Sequence, residues 1–278
     1  MYKIIIDSCG ELTQAMKESG LYTSVPLSIM VDETTIVDDD TFDQAKFLKL
    51  VEASPNCPKS SCPSPEQYME AYKGKEERVY VVTLSAELSG SHNSAVLAKD
   101  LYMEEYGDKQ IHVFDSFSAS IAETLIGMKI AEFEAKGMSF EEVIKAMDEY
   151  IADQATHFVL DSLEALRKNG RLTGIKALIV TALNIKPVMG ATPKGVICQH
   201  GQARGIKKAL AKLVELVAEE VKGSENKILG IAHCNCRERA EEVKKMIEEK
   251  VKLKDILITD TCGISSLYAS DGGIIVTV

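Results

Sequence analysis

The chain has 278 residues, 45% hydrophobic and 27% charged, a balance that excludes a disordered or fibrous polypeptide and leaves room for two cores. Its formal net charge is −10 and its Lys and Arg are scattered, which argues against nucleic acid or an anionic membrane as a partner. Seven Cys without a disulfide spacing, an opening segment (residues 1–7) cut short by an acid, and no apolar run near the roughly 20 residues of a membrane span predict a cytoplasmic chain with reduced thiols and no stable membrane insertion.

Ile4, Ile5 and Ile6 form a short apolar run before Asp7-Ser8-Cys9-Gly10, which predicts a buried strand feeding a loop and a helix over 12–19. Residues 22–25 and 27–37 read as extended, and 42–53 as a helix. From 54 to 65 there are four prolines in twelve residues, which excludes helix and most strand pairing. A helix then starts near Glu66. A strand at 78–84, a polar loop at 85–91, a helix at 93–106, a strand at 110–114 and helices at 118–135 and 140–152 follow. The apolar residues of the 118–135 helix fall in two adjacent rows, Ile121, Leu125, Met128 and Ala122, Ile126, Ile130, Phe133, a stripe broad enough for burial against a sheet. Strand, loop and helix alternating in this way predict an N-terminal parallel α/β domain with helices on both faces.

The pattern changes after about Ala155. A strand at 157–160 precedes a helix at 162–168 that ends in Asn169-Gly170-Arg171, a left-handed turn signal. A helix at 175–183 comes next, then extended runs at 185–190 and 196–199 around the hairpin signal Thr192-Pro193-Lys194-Gly195. A helix at 206–221, strands at 228–233 and 256–259 around a helix at 237–250, and a last strand at 273–278 complete the chain. This half reads as an α+β domain with a mixed or antiparallel sheet. The expected domains are 1–156 and 157–278.

Three polar loops follow predicted strands: Asp7-Ser8-Cys9-Gly10, residues 85–91 and Asp115-Ser116-Phe117-Ser118. Ligands of open α/β sheets bind beyond the carboxyl ends of the strands, and hydroxyls with helix N-terminal N–H groups hold anions. Ser and Asp at such places also serve as ordinary helix caps. Ser89 could be read as a nucleophile, but no G-x-S-x-G elbow is present and His92 is too close in sequence for a usual triad. His233-Cys234-Asn235-Cys236 has the look of a metal half-site without the remaining ligands, and ordinary thiols are the better reading. Neither phosphate-binding glycine motif occurs. Arg171 and Arg204 each stand next to a Gly, where a guanidinium could grip a carboxylate or phosphate.

Taken in order, several segments resemble the DegV family over almost the whole chain. Ile6-Asp7-Ser8-Cys9-Gly10-Glu11-Leu12 resembles its T-D-S-T-x-x-L, Val25-Pro26-Leu27 with Val37-Asp38 its V-P-L…Y-x-D, and Pro58-Lys59-Ser60-Ser61-Cys62-Pro63-Ser64-Pro65 its P-x-T-S-Q-P-S-P. Leu84-Ser85-Ala86-Glu87-Leu88-Ser89-Gly90-Ser91 is similar to I-S-S-x-L-S-G-T, and Val113-Phe114-Asp115-Ser116 to V-x-D-S. Leu163 to Arg171, Ile185-Lys186-Pro187-Val188 and Ala203-Arg204-Gly205 resemble L-x-x-L-x-K-G-G-R, I-K-P-I and x-R-G.

The resemblance implies one long-chain fatty acid held between the two domains, with no catalytic residue, no metal and no other cofactor. It implies a fatty-acid kinase as a protein partner. It assigns Ser60, Ser61, Ser89, Gly90 and Ser91 to the carboxylate, and Arg171, Arg204 and Asp260 to the head-group neighbourhood or the partner-facing surface. Asp260 replaces a His that kinase-serving members carry in an H-T-G-P-G-like segment, and Ala122 and Thr124 replace glycines. Two other readings stay open: an enzyme using Ser89 on a small acid or ester, and a lipid-sensing regulatory module.

Overall fold

The structure is a computed structural model that describes residues 1–172, 184–221 and 225–278. The helix predicted at 175–183 lies outside the described residues. The first half runs β1 (Tyr2–Asp7), α1 (Gln14–Ser19), β2 (Tyr22–Val25), β3 (Ser28–Val31), β4 (Thr34–Val37), α2 (Gln44–Ala53), β5 (Lys59–Ser61), α3 (Pro65–Tyr72), β6 (Arg78–Thr83), α4 (Ser91–Tyr106), β7 (Gln110–Asp115), α5 (Ile121–Ala135) and α6 (Phe140–Ala152). The second half runs β8 (Thr156–Val159), α7 (Glu164–Lys168), β9 (Ile185–Ala191), β10 (Ile197–Arg204), α8 (Ile206–Glu220), β11 (Ile228–His233), α9 (Arg237–Glu248), β12 (Asp255–Asp260), α10 (Gly263–Ala269) and β13 (Ile274–Thr277).

The first sheet is four-stranded and parallel, in the order β2-β1-β6-β7. Side chains alternate across it, as the pleat requires. Ile4, Ile6, Tyr80, Val82 and Phe114 pack against α5 and α6, while Ile5, Val79, Val81 and Ile111 pack against α3 and α4. Helices thus cover both faces, as the continuous apolar strands predict. Capping boxes at Ser64/Gln67 and Ser139/Glu142 start α3 and α6.

The second sheet is six-stranded and mixed, in the order β10-β9-β8-β13-β11-β12, antiparallel except for β11 with β12. Helices α8 and α9 cover one face, around Leu213, Val217, Ile231 and Val243. The other face carries Phe158, Met189 and Ile275 and turns toward the first half. The two-domain α/β fold agrees with the expectation. No helix among the described residues is long and apolar enough to cross a membrane.

Two elements depart from the sequence reading. The proline-rich stretch does pair: Lys59, Ser60 and Ser61 form β5, the edge of a small antiparallel sheet ordered β4-β3-β5, with Ile29 opposite Ser60. Pro58 and Pro63 flank the three paired residues, so no ladder N–H is lost. Helix α10 was not expected at all.

The halves meet closely where Ile121, at the start of α5, packs on β11 at Gly230. A Cβ at Gly230 would overlap Ile121 Cγ1. Gly230→Ala is therefore expected to destabilise the fold by about 1–3 kcal/mol, as overpacking does. A lowered urea midpoint at unchanged m-value is the signature to look for.

Candidate functional site

In the parallel sheet the chain turns outward from β1 and β6, which makes the crevice between their carboxyl ends a topological switch point. Asp7, the last residue of β1, is fully buried there. Its Oδ1 accepts the Cys9 N–H at 3.1 Å, and its Oδ2 accepts the Leu84 N–H at 3.0 Å and the Ser91 hydroxyl at 2.6 Å. Tyr68 donates in turn to Ser91 Oγ at 2.6 Å. One carboxylate therefore ties the loop after β1 to the loop after β6.

Two further acids are buried beside it. The Ser120 hydroxyl donates to Glu11 Oε1 at 2.8 Å, and both oxygens of Glu123 lack a hydrogen-bond partner among the described residues. Burial raises the Glu11 carboxyl to about 8. Burial, with Asp7 and Glu11 nearby, pushes Glu123 well above its ordinary value. Both are held in the neutral form, in which a buried carboxyl costs least. Asp38, raised to about 6 by burial, accepts the N–H groups of Gly263 and Ile264 at 2.6 and 2.8 Å and so caps α10 from the other half of the chain.

Between these loops and the inner face of the mixed sheet lies a narrow cavity of about 100 Å³. Leu84, Leu88 and Ala119 line it from the parallel half, and Phe158, Leu160, Leu166, Ile197 and Ile275 from the other. Its hydroxyls are engaged elsewhere: Ser118 bonds Thr156 at 2.7 Å, Thr156 bonds Thr277 at 2.9 Å, and Ser265 donates to the Cys9 carbonyl at 2.9 Å. The lining presented to a guest is thus apolar.

One end of the cavity is polar. Tyr268, on α10, hydrogen-bonds Ser60 at 2.7 Å and stacks under the Arg171 guanidinium, 5.5 Å from the ring centroid. Arg171 donates from Nε to the Leu88 carbonyl at 3.1 Å and from Nη1 to the Asn169 carbonyl at 2.7 Å. Gly170 sets this turn with φ 77°, a value that glycine adopts without strain. Leu88, whose carbonyl holds Arg171, directly precedes Ser89 and Gly90, and a Cβ on Gly90 would lie 3.1 Å from Cys62 Sγ, the residue after Ser61.

The remaining residues singled out from sequence sit elsewhere. Ser91 is fully buried and committed to Asp7 and Tyr68. Arg204 is exposed in a separate cleft with Asp161, Lys186, Lys207 and Lys208. Asp260 is solvent-facing at the end of β12, 3.6 Å from His233 Nε2. Sequence reading missed Tyr268 and Ser265, because it missed the helix that carries them. The i, i+3, i+4 spacing of Ile264, Leu267 and Tyr268 is the signal that could have found it.

The model of the DegV family, described as one of uncharacterised proteins, matches residues 1–276. The chain belongs to the DegV family. A DegV domain-containing protein of Streptococcus pneumoniae is 36% identical over 277 residues, covering 99% of this chain and 97% of the relative. A DegV family protein from Ruminococcus gnavus, with vaccenic acid, superposes at a TM-score of 0.98 with 57% identity, over 100% of this chain and 99% of its own. The Streptococcus pneumoniae Fatty Acid Kinase (Fak) B3 protein, loaded with linoleic acid, superposes at 0.87 with 34% identity, over 100% and 98%.

In this DegV chain the buried carboxyls have a thermodynamic consequence. The folded protein keeps a proton on Glu11 up to about 8, whereas an unfolded chain releases it near 4.5. The native state binds more protons in that interval, so this contribution is complete below 4.5 and lost as pH rises toward 8. His157, lowered to about 4 by burial, acts in the opposite sense below 6.5. The carboxyl effect is therefore read cleanly from pH 6.5 to 8. There we expect unfolding free energy to fall with pH by up to about 1.4 kcal/mol per unit for each retained proton. Glu11→Gln should flatten that slope in urea titrations across the window.

Proposed function

We propose that this chain is a non-enzymatic carrier of one long-chain fatty acid, with the acyl chain in the cavity between the two sheets and the carboxylate at the Ser60, Ser61, Ser89 and Gly90 end. The observation that carries the reading is the lining of the cavity: mostly apolar, with Arg171 and Tyr268 as its polar part and Ser60 hydrogen-bonded to Tyr268. The fatty acids carried by the Ruminococcus and Streptococcus proteins support it. Each buried CH₂ contributes about 0.8 kcal/mol before ordering costs, so most of the affinity comes from the tail. Hydroxyl donors and Arg171 offset the desolvation of the carboxylate. In this reading the units 1–156 and 157–278 each supply one wall.

Ser89 lacks the partner that a nucleophile needs. Its Oγ accepts the Ser91 N–H at 3.2 Å, while His92 Nδ1 is bonded to Thr83 at 3.2 Å. Among the described residues no base is bonded to Ser89 Oγ, which favours the carrier over a hydrolase.

By its likeness to the Fak B3 protein, we extend the proposal to a cytoplasmic carrier that presents its cargo to a fatty-acid kinase. Arg204 with Lys186, Lys207 and Lys208 offers a basic patch on an otherwise acidic molecule, suited to steering such a partner.

Organic extraction of the purified protein followed by mass spectrometry is expected to yield one long-chain fatty acid per chain. Ser60→Ala and Ser89→Ala each remove a hydrogen bond to a charged group, about 1.5–3 kcal/mol, and should weaken fatty-acid binding roughly 10- to 100-fold. Arg204→Glu should leave binding intact and suppress acyl-phosphate formation by an added fatty-acid kinase. A lipid-free protein that takes up no added fatty acid would refute the carrier.

A further inference from the structure

Away from the polar end of the cavity, three groups with metal-binding chemistry converge behind its wall. Asp7, Cys9 and Glu123 are 0, 2 and 0% exposed, and one ligand atom from each, a carboxylate oxygen or the thiol sulfur, lies within 4.8 Å of the other two. They come from the end of β1, the loop after it and the first turn of α5. Gly10 permits the approach. A Cβ there would stand 2.7 Å from Ile6 Cγ2 and 2.9 Å from Glu123 Cβ, so a larger residue would push the loop off the helix.

Each of the three has bonding capacity left over. Neither oxygen of the fully buried Glu123 has a hydrogen-bond partner among the described residues. A carboxylate offers about four acceptor positions. Asp7 uses one on Oδ1, for the Cys9 N–H, and two on Oδ2, for Leu84 and Ser91, which leaves one on Oδ1. The Cys9 sulfur has only a weak contact with Ser265 Oγ at 3.8 Å. No Lys, Arg or His is among the groups that act on Asp7 or Glu123. Buried polar groups are nearly always satisfied, and buried charges are paired or held on a metal ion, so an orphaned glutamate beside a buried aspartate calls for an occupant.

We propose that Asp7, Cys9 and Glu123 bind a divalent transition-metal ion of the zinc class. Zinc accepts carboxylate oxygen at about 2.0–2.2 Å and thiolate sulfur at about 2.3 Å, with water in the fourth position, and the sulfur disfavours magnesium and calcium. Bonds of that length hold tetrahedral ligands about 3.5 Å apart, so a pair now at the 4.8 Å limit closes by little more than about 1 Å. The bonds from Leu84 and Ser91 orient the Asp7 carboxylate from outside, as partners of metal ligands do. The ion takes the place of the protons on Glu123 and Cys9, which leave to solvent. Two openings flank the cluster: Cys9 lines the apolar cavity, and its neighbours Ser8 and Gly10 line a separate cleft with Lys17 and Asp38. Bound metal would pin the β1 loop to α5. The site does not depend on the carrier reading.

The test uses full-length, tag-free protein, stripped with chelator after exposed thiols such as Cys62 have been alkylated in the native state. It is titrated with zinc alone, then with cobalt, whose thiolate charge-transfer absorption reports a sulfur ligand. One ion per chain is expected, with a rise in melting temperature and a cobalt–thiolate band. Glu123→Gln and Cys9→Ser, which keep shape and remove the ligating charge, are expected to weaken zinc binding by at least roughly 10- to 100-fold, the loss already caused by removing an outer-shell partner. Cys9→Ser should also abolish the band. Should either variant fail to fold, the band in the wild-type protein decides the matter. No ion bound, an ion bound without the band, or undiminished affinity in both variants would overturn the proposal. A proton shared between Glu123 and Asp7 would fill the same gap, and it predicts the first of these outcomes. Fatty-acid content measured alongside keeps this result separate from that of the carrier reading.

Discussion

The arrangement rests on a buried carboxylate. Asp7 sits at the carboxyl end of β1 with no cation on its oxygens among the described residues, and the cost of burying it is offset by donors from three places: Cys9, Leu84 and Ser91. Those donors belong to two loops on opposite sides of the switch point. Satisfying Asp7 thus fixes the relative position of the β1 loop and the start of α4. Ser89 and Gly90 lie immediately before that start, so the polar end of the cavity inherits its position from a group that never faces it. Asp38 performs the same service for the opposite wall, since its two hydrogen bonds hold the N-terminus of α10, the helix that carries Ser265 and Tyr268. Two acids from the first half of the chain position both sides of the cavity.

The cavity stays apolar because its polar groups find one another first. Ser118, Thr156 and Thr277 form a chain of hydroxyls across the junction of the two sheets, and Ser265 turns to the Cys9 carbonyl. Each is satisfied without a guest, so an acyl chain can lie against them without leaving a donor stranded. The polar end differs in kind. Among the described residues the Ser60 and Tyr268 hydroxyls are hydrogen-bonded only to each other, across the seam between the halves.

Much of this was legible in the sequence. The apolar runs Ile4 to Ile6 and Val79 to Val82 alternate with helical periods, and the parallel sheet followed from them. The hairpin at Thr192 to Gly195 and the turn at Gly170 declared themselves through turn chemistry. What escaped depended on tertiary context. Helix α10 starts at Cys262, which supplies no side-chain cap; the cap arrives from Asp38, far away in the chain. Strand β5 is three residues long inside a proline-rich stretch, below any periodic signal. Nothing local marks Glu11, in the loop after β1, or Glu123, in the first turn of α5, as buried, because acids at such places commonly face water. The proposed carboxylate set Ser60, Ser61, Ser89 and Gly90 comes from the order and spacing of short motifs, whereas the isolation of Arg204 and the inward commitment of Ser91 needed three dimensions.

Asp260 shows why such placement matters. An acid that faced a fatty carboxylate would repel it. Here it is 72% exposed and turned to His233, outside the lining of the cavity. Water screens a charge so placed. Among the described residues that line the cavity, Arg171 is the one charged group. Its guanidinium is anchored by two carbonyls and the Tyr268 ring. The position of that one charge is set by backbone carbonyls from both halves of the molecule, Leu88 and Asn169.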